Sequence, residues 1–151
     1  MNLLRFTALL FAALALGPAL AHLLELPNKI DLTREDYLTI QQIYRGWALL
    51  GIVVFGALLS TLAYAIAARR RRGEFLPALI AFFCIVGTQV VFWTFTYPAN
   101  QATANWTLLP DSWRMLRTQW EYSHAASAVL NLAAFVALAV AVLARSDTSR
   151  E

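Results

Sequence analysis

The sequence predicts an all-α protein: a four-helix transmembrane bundle threaded up-down-up-down, with short amphipathic helical segments on the extracytoplasmic side. Composition is the first reason, since 60% of the 151 residues are hydrophobic and the mean hydropathy is +0.57, too apolar for a soluble chain of this size. Span length is the second. A helix rises about 1.5 Å per residue, so roughly 20 apolar residues cross a bilayer core. Four stretches qualify, Leu3 to Leu24, Trp47 to Ala68, Phe75 to Phe95 and Ser123 to Ala144, and they nearly exhaust the chain. Residues 1–151 therefore read as a single integral-membrane domain.

Charge placement is the third reason. The net charge of +3 is not gathered into a nucleic-acid surface. Arg69, Arg70, Arg71 and Arg72 fill the short turn between the second and third spans, and Arg5, Arg145 and Arg150 fall on the same side. Positive-inside bias puts that side, with both termini, in the cytoplasm and the protein in the cytoplasmic (inner) membrane. The arginine run also offers contact to anionic lipid. Cys84 is the only cysteine, which excludes an intramolecular disulfide and the thiol oxidoreductases that need a Cys pair.

The first span ends in His22-Leu-Leu-Glu25-Leu-Pro27, with His22 and Glu25 on one helical face and Pro27 marking the helix end. Arg5, the apolar run and the small residues up to Ala21 also fit a secretory signal, whose removal would leave His22 as a copper-binding amino terminus. Retention completes an even bundle and is the reading followed. Thr33 and Asp36 form a capping-box-like start, and Tyr37, Ile40, Ile43, Tyr44 and Trp47 recur at helical spacing. They predict a short interfacial helix leading into the second span, with Tyr44 and Trp47 as aromatic anchors. Gly51, Gly56 and Ser60 give that span a small-residue flank for close helix packing.

The third span is apolar as far as Gln89, a polar group needing a partner inside lipid, and then turns aromatic at Phe92, Trp93, Phe95 and Tyr97. A polar segment, Asn100 to Thr107, follows without apolar periodicity. Pro110 and Asp111 signal the start of the last helix. From there Trp113, Arg117, Trp120, Glu121, His124, Ser127 and Asn131 recur every three or four residues, so one face is polar where the helix enters the membrane. Ionisable groups at that depth mark a functional site.

The first and fourth helices of such a bundle are antiparallel neighbours, so His22-x-x-Glu25 and Glu121-x-x-His124 face each other at its outer mouth. Two imidazoles and two carboxylates are a ligand set for copper, iron or zinc. The competing readings are a metal-free polar pocket and a structural network in which Glu121 pairs with Arg117 and His124 bonds Asn131 or Gln89.

At Asn105-Trp106, Trp113, Arg117-x-x-Trp120 and His124 the chain resembles the anthrone oxygenase-like family of small four-helix membrane proteins. The resemblance implies oxidation of a lipophilic anthrone-like or phenolic substrate by molecular oxygen, without an established cofactor. It further implies His124 as base, Arg117 with Asn100 or Asn105 as polarising groups, and Trp106, Trp113 and Trp120 as walls for a flat substrate; Glu121, one turn before His124, is the further catalytic candidate that the spacing itself offers. The His22-x-x-Glu25-Leu-Pro motif lies outside it. Other readings stay open: a metal- or haem-binding membrane protein without turnover, or an accessory subunit packing in a larger membrane complex or homo-oligomer. The expected partners are the lipid bilayer and a lipophilic small molecule, not nucleic acid.

Overall fold

The computed structural model describes residues 1–147, with the backbone alone for 145–147; Arg150, and the side chain of Arg145, therefore lie outside the described residues. Four long apolar helices dominate: α1 (Asn2–Lys29), α3 (Leu50–Ala68), α4 (Arg72–Val91) and α6 (Trp113–Asp147). Two short ones complete them, α2 (Arg34–Gln41) in the connection after α1 and α5 (Tyr97–Ala102) at the end of the third span. Helix α1 packs on α3 and α6, and α4 packs on the same two, which closes a four-helix ring. The expected all-α bundle is present, and its four apolar helices make the chain an integral membrane protein. One end carries the tight turn at 69–71 and is called the turn end; the other carries the connections around 30–49 and 103–112 and is called the loop end.

The packing is that of a membrane bundle. Small residues fill its centre, Ala8 and Ala12 from α1, Ala57 and Ala65 from α3, Ala78 and Ala81 from α4, and Ala134 and Ala141 from α6. Large apolar side chains such as Leu3, Phe55, Leu59 and Leu143 point outward. In lipid no hydrophobic force drives helices together, so close backbone approach between small residues has to supply the contact. The Gly51–Gly56–Ser60 flank is used within the chain itself: Phe11 of α1 lies so close to Gly56 that an added Cβ would fall 2.4 Å from its ring, whereas Gly51 faces open space.

Several boundaries move. Helix α1 continues through Pro27 to Lys29, because a proline in the last turn gives up one hydrogen bond and Ile30 N–H still reaches Leu26 O at 3.0 Å. Thr33 caps the helix as expected, with Asp36 N–H donating to Thr33 Oγ1 at 3.2 Å, while the Asp36 carboxylate accepts from the Thr33 hydroxyl at 2.7 Å. The helix it opens stops at Gln41. Gly46, at φ +90°, then turns the chain into the second span. That turn corrects the reading of Tyr44 and Trp47 as interfacial anchors: both rings lie inward, 4.5 and 5.4 Å from the His22 ring. The third span extends beyond Phe95 through a π-turn (Phe92–Thr96) into α5, whereas the last helix begins at Trp113, close behind its start signal at Pro110 and Asp111, and runs unbroken.

At the turn end Arg5 is not a solvated topology signal alone. Its guanidinium is buried and meets the buried Glu74 carboxylate at 2.7 Å, while Tyr64 Oη lies 3.1 Å from the same oxygen and 3.2 Å from Ala141 O. Residues of α1, α3, α4 and α6 thus share one network. Breaking a buried pair from one side strands the other charge, so Arg5→Ala is expected to lower stability by about 3–5 kcal/mol. Arg5→Met combined with Glu74→Leu should recover most of that loss; equal melting of wild type and Arg5→Ala in detergent would refute the assignment.

Candidate active site at the loop end

Helix α6 builds one wall. Its face at 113, 116, 117, 120 and 121 is buried, as the three-and-four spacing requires. Trp113, Leu116 and Trp120 join Tyr37, Ala99, Trp106 and Leu109 in a second core outside the main bundle. Asn100 ties this core together, its Oδ1 accepting from the indole N–H of Trp120 at 2.8 Å and of Trp106 at 3.2 Å. Trp106 is delivered by a turn in which Ala104, Asn105 and Trp106 all adopt left-handed φ values of 47°, 56° and 61°. Such a run costs about 1–2 kcal/mol per non-glycine residue. Asn105 N–H to Asn100 O (2.7 Å), Trp106 N–H to Thr103 Oγ1 (3.1 Å) and burial of the indole offset it.

The charged centre is Lys29. Its ammonium sits 3.3 Å from Glu25 Oε2 and 3.3 Å from Glu121 Oε1, donates to Tyr44 Oη at 2.7 Å, and lies over the Tyr44 and Trp120 rings at 4.7 and 5.2 Å. Tyr37 Oη donates to Glu121 Oε1 at 3.0 Å, and Tyr44 Oη donates to Glu25 Oε2. Glu121 is wholly enclosed, at 0% exposure. A lone carboxylate there would carry a desolvation penalty of several kcal/mol, which the ammonium and the phenol offset in part. Burial first, and then the Glu121 charge, hold the Tyr37 phenol well above its ordinary value; burial and the bond to Glu25 do the same for Tyr44. Both act as neutral O–H donors.

Deeper by about one turn, His22 and His124 stack with ring centroids 4.1 Å apart and planes 26° from parallel. Trp120 packs against both, at 5.1 and 4.1 Å. His22 Nδ1, His124 Nε2 and Glu121 Oε2 are buried without a hydrogen-bond partner.

The structure therefore brings His22, Glu25, Glu121 and His124 to one end of the bundle, but not as a ligand set. Imidazole lone pairs lie in the ring plane, so two stacked rings do not converge on one ion, and both carboxylates are engaged by Lys29. Among the described residues no group of three His, Cys, Asp or Glu side chains is placed to hold a metal. Nor do the structural pairings suggested by sequence form. Arg117 donates to Leu32 O at 2.8 Å and stacks over Trp113 and Tyr37, Asn131 bonds Ser127 O, and Gln89 bonds Thr88.

The expected substrate walls have a different occupation. Trp106, Trp113 and Trp120 are 3–5% exposed and packed on one another and on Tyr37, so they support the site from behind. Asn105 stands apart on the exposed left-handed turn, a position asparagine tolerates well. Sequence reasoning missed Lys29, Tyr37 and Trp47 as site residues. The i,i+4 spacing of Glu25 and Lys29 was the available signal for the first; nothing local marks the other two, which arrive by tertiary packing.

Comparison with protein-family models, with curated proteins and with solved structures found no match, so the chemistry rests on the geometry of the site.

Two measurements test this geometry. Asn100→Leu leaves two indole N–H groups without an acceptor and is expected to cost about 1–3 kcal/mol and alter tryptophan emission, whereas Asn100→Asp, which keeps the acceptor, costs less. For the phenols, a folded-state value raised above the unfolded value of about 10 gives stability that is complete below that pH and lost above it. Phenolate absorbance from Tyr37 and Tyr44 should thus appear only together with alkaline unfolding. Titration of both in the intact fold would contradict their burial beside carboxylates.

Proposed function

We propose that this chain is a membrane oxygenase that oxidises a lipophilic aromatic molecule, anthrone-like or phenolic, with molecular oxygen at the loop end of the bundle. The observation that carries this reading is the His22–His124 stack with Glu121 one turn outward of it: three buried polar atoms without partners, beside aromatic rings and a fixed ammonium. Buried polar atoms are nearly always bonded, and exceptions are met by a bound water, a ligand or a catalytic role. An imidazole nitrogen held free is a base, and the Lys29 ammonium offsets part of the Glu25 and Glu121 charge that would otherwise oppose the anion that base would create.

On this reading His124 removes one hydrogen of an activated ring methylene as a proton, and Trp47 and Tyr44 exclude water around the flat anion. The anion forms a carbon–oxygen bond to O2 and becomes a hydroperoxide. Removal of the second methylene hydrogen with cleavage of the O–O bond then leaves a ketone and one water. The four electrons lost by carbon are those gained by O2, so the reaction balances with substrate and oxygen alone. By the arginine bias, the site opens on the extracytoplasmic face of the inner membrane, with both termini in the cytoplasm.

The test is oxygen uptake and quinone absorbance with an anthrone substrate in nanodiscs. His124→Ala and His22→Ala should each lower turnover on the order of 100-fold or more with melting unchanged. Asn105→Ala, remote from the stack, should have no effect. Full activity in His124→Ala, or no oxygen uptake by the wild type across a panel of anthrones and phenols, would overturn the proposal.

A further inference from the structure

We infer that the turn end carries a binding site for an anionic phospholipid, formed by Arg69, Arg70 and Arg72 with the adjoining apolar surface of α3 and α4. All three arginines are exposed at the junction of two apolar spans, which is the depth of lipid headgroups. The carboxylate nearest in sequence, Glu74, is withdrawn from them. It is 4% exposed, bound to Arg5 at 2.7 Å and approached by Arg71 at 3.5 Å. Among the described residues no acidic side chain forms an ion pair with Arg69, Arg70 or Arg72, and the one guanidinium contact seen, Arg69 Nη1 to Ile66 O at 3.1 Å, leaves its other donors free.

Two further features give the site its chemistry. Helix α4 starts at Arg72 without a side-chain cap, so the positive end of a 20-residue helix adds to the guanidinium field. Large apolar side chains flank the arginines on the outer surface: Ile66 on α3, one turn before Arg69, and Leu76 and Ile80 on α4, one and two turns after Arg72, all more than half exposed. A free phosphate would use the first set and leave the second uncovered. A phosphodiester headgroup with acyl chains uses both, with planar guanidinium forks matching the phosphate oxygens.

The experiment is native mass spectrometry of the detergent-purified full chain with equal phosphatidylglycerol and phosphatidylcholine. The wild type is expected to retain phosphatidylglycerol preferentially, with the preference falling on the order of fivefold for each arginine neutralised in an Arg69→Gln, Arg70→Gln, Arg72→Gln series. An Arg34→Gln, Arg45→Gln, Arg114→Gln triple variant, which removes the same charge from the loop end, should keep it. Melting curves of both triple variants verify folding. Equal retention of the two lipids by the wild type, equal loss in both triple variants, or displacement of the lipid by inorganic phosphate would each overturn the inference.

Discussion

The loop end depends on one ammonium. Without Lys29, Glu25 and Glu121 would face each other across a buried aromatic cluster with no cation between them, and repulsion would part α1 from α6. With it, the two helices are held at the depth where His22 stacks on His124, and Tyr37 and Tyr44 are recruited from the intervening connection as donors to the same carboxylates. The position otherwise open to a bound cation is taken by a side chain. That changes the meaning of the neighbouring imidazoles from ligands to unengaged polar atoms.

The same device recurs at the far end of α1, where Arg5 meets Glu74 and Tyr64. Between these ends the residues α1 buries in the main core are Ala8 and Ala12, small side chains that permit close approach but differ little if a helix slides by one turn. A buried ion pair does distinguish such registers, because a slip leaves charges unpaired in a medium without water. On this argument the small residues set how near α1 comes to α3 and α6, and the two ion pairs set where along their length it sits.

The sequence made the four spans, the cap at Thr33, the unbroken last helix and its single inward polar and aromatic face legible, because each rests on periodicity or a local start signal. It also placed His22 beside His124, since antiparallel neighbours with mirrored motifs leave little choice. What it could not show was which charge each carboxylate would meet. Lys29 lies past Pro27, and reading proline as a helix end removed from consideration the turn that carries it. Tyr44 and Trp47 look like interfacial anchors in any local window; only the left-handed Gly46 between them, followed by tertiary packing, turns both onto His22. Asn100, Trp106 and Trp120 were rightly grouped, but their saturated mutual hydrogen bonds make them a support rather than a slot.

The π-turn shows how far a one-residue irregularity shapes the site. Along α4 the buried positions Ala78, Ala81, Ile85 and Thr88 follow α-helical spacing, which would continue through Phe92 and turn Phe95 inward two turns after Thr88. The wider turn at Phe92–Thr96 takes up one extra residue. Phe95 consequently faces outward, with its carbonyl engaged by Gln119 Nε2 at 2.7 Å, and Thr96 turns inward to bond Ser123 at 2.7 Å. The shift carries into α5, where Ala99 is fully buried and Asn100 reaches the indoles of Trp106 and Trp120. A regular helix would place these positions about one residue out of phase, presenting a neighbour of Asn100 to the tryptophans instead. Trp120, which packs on both imidazoles, would then lose the acceptor that fixes it, so the geometry of the histidine stack on α1 and α6 rests in part on an irregularity in α4.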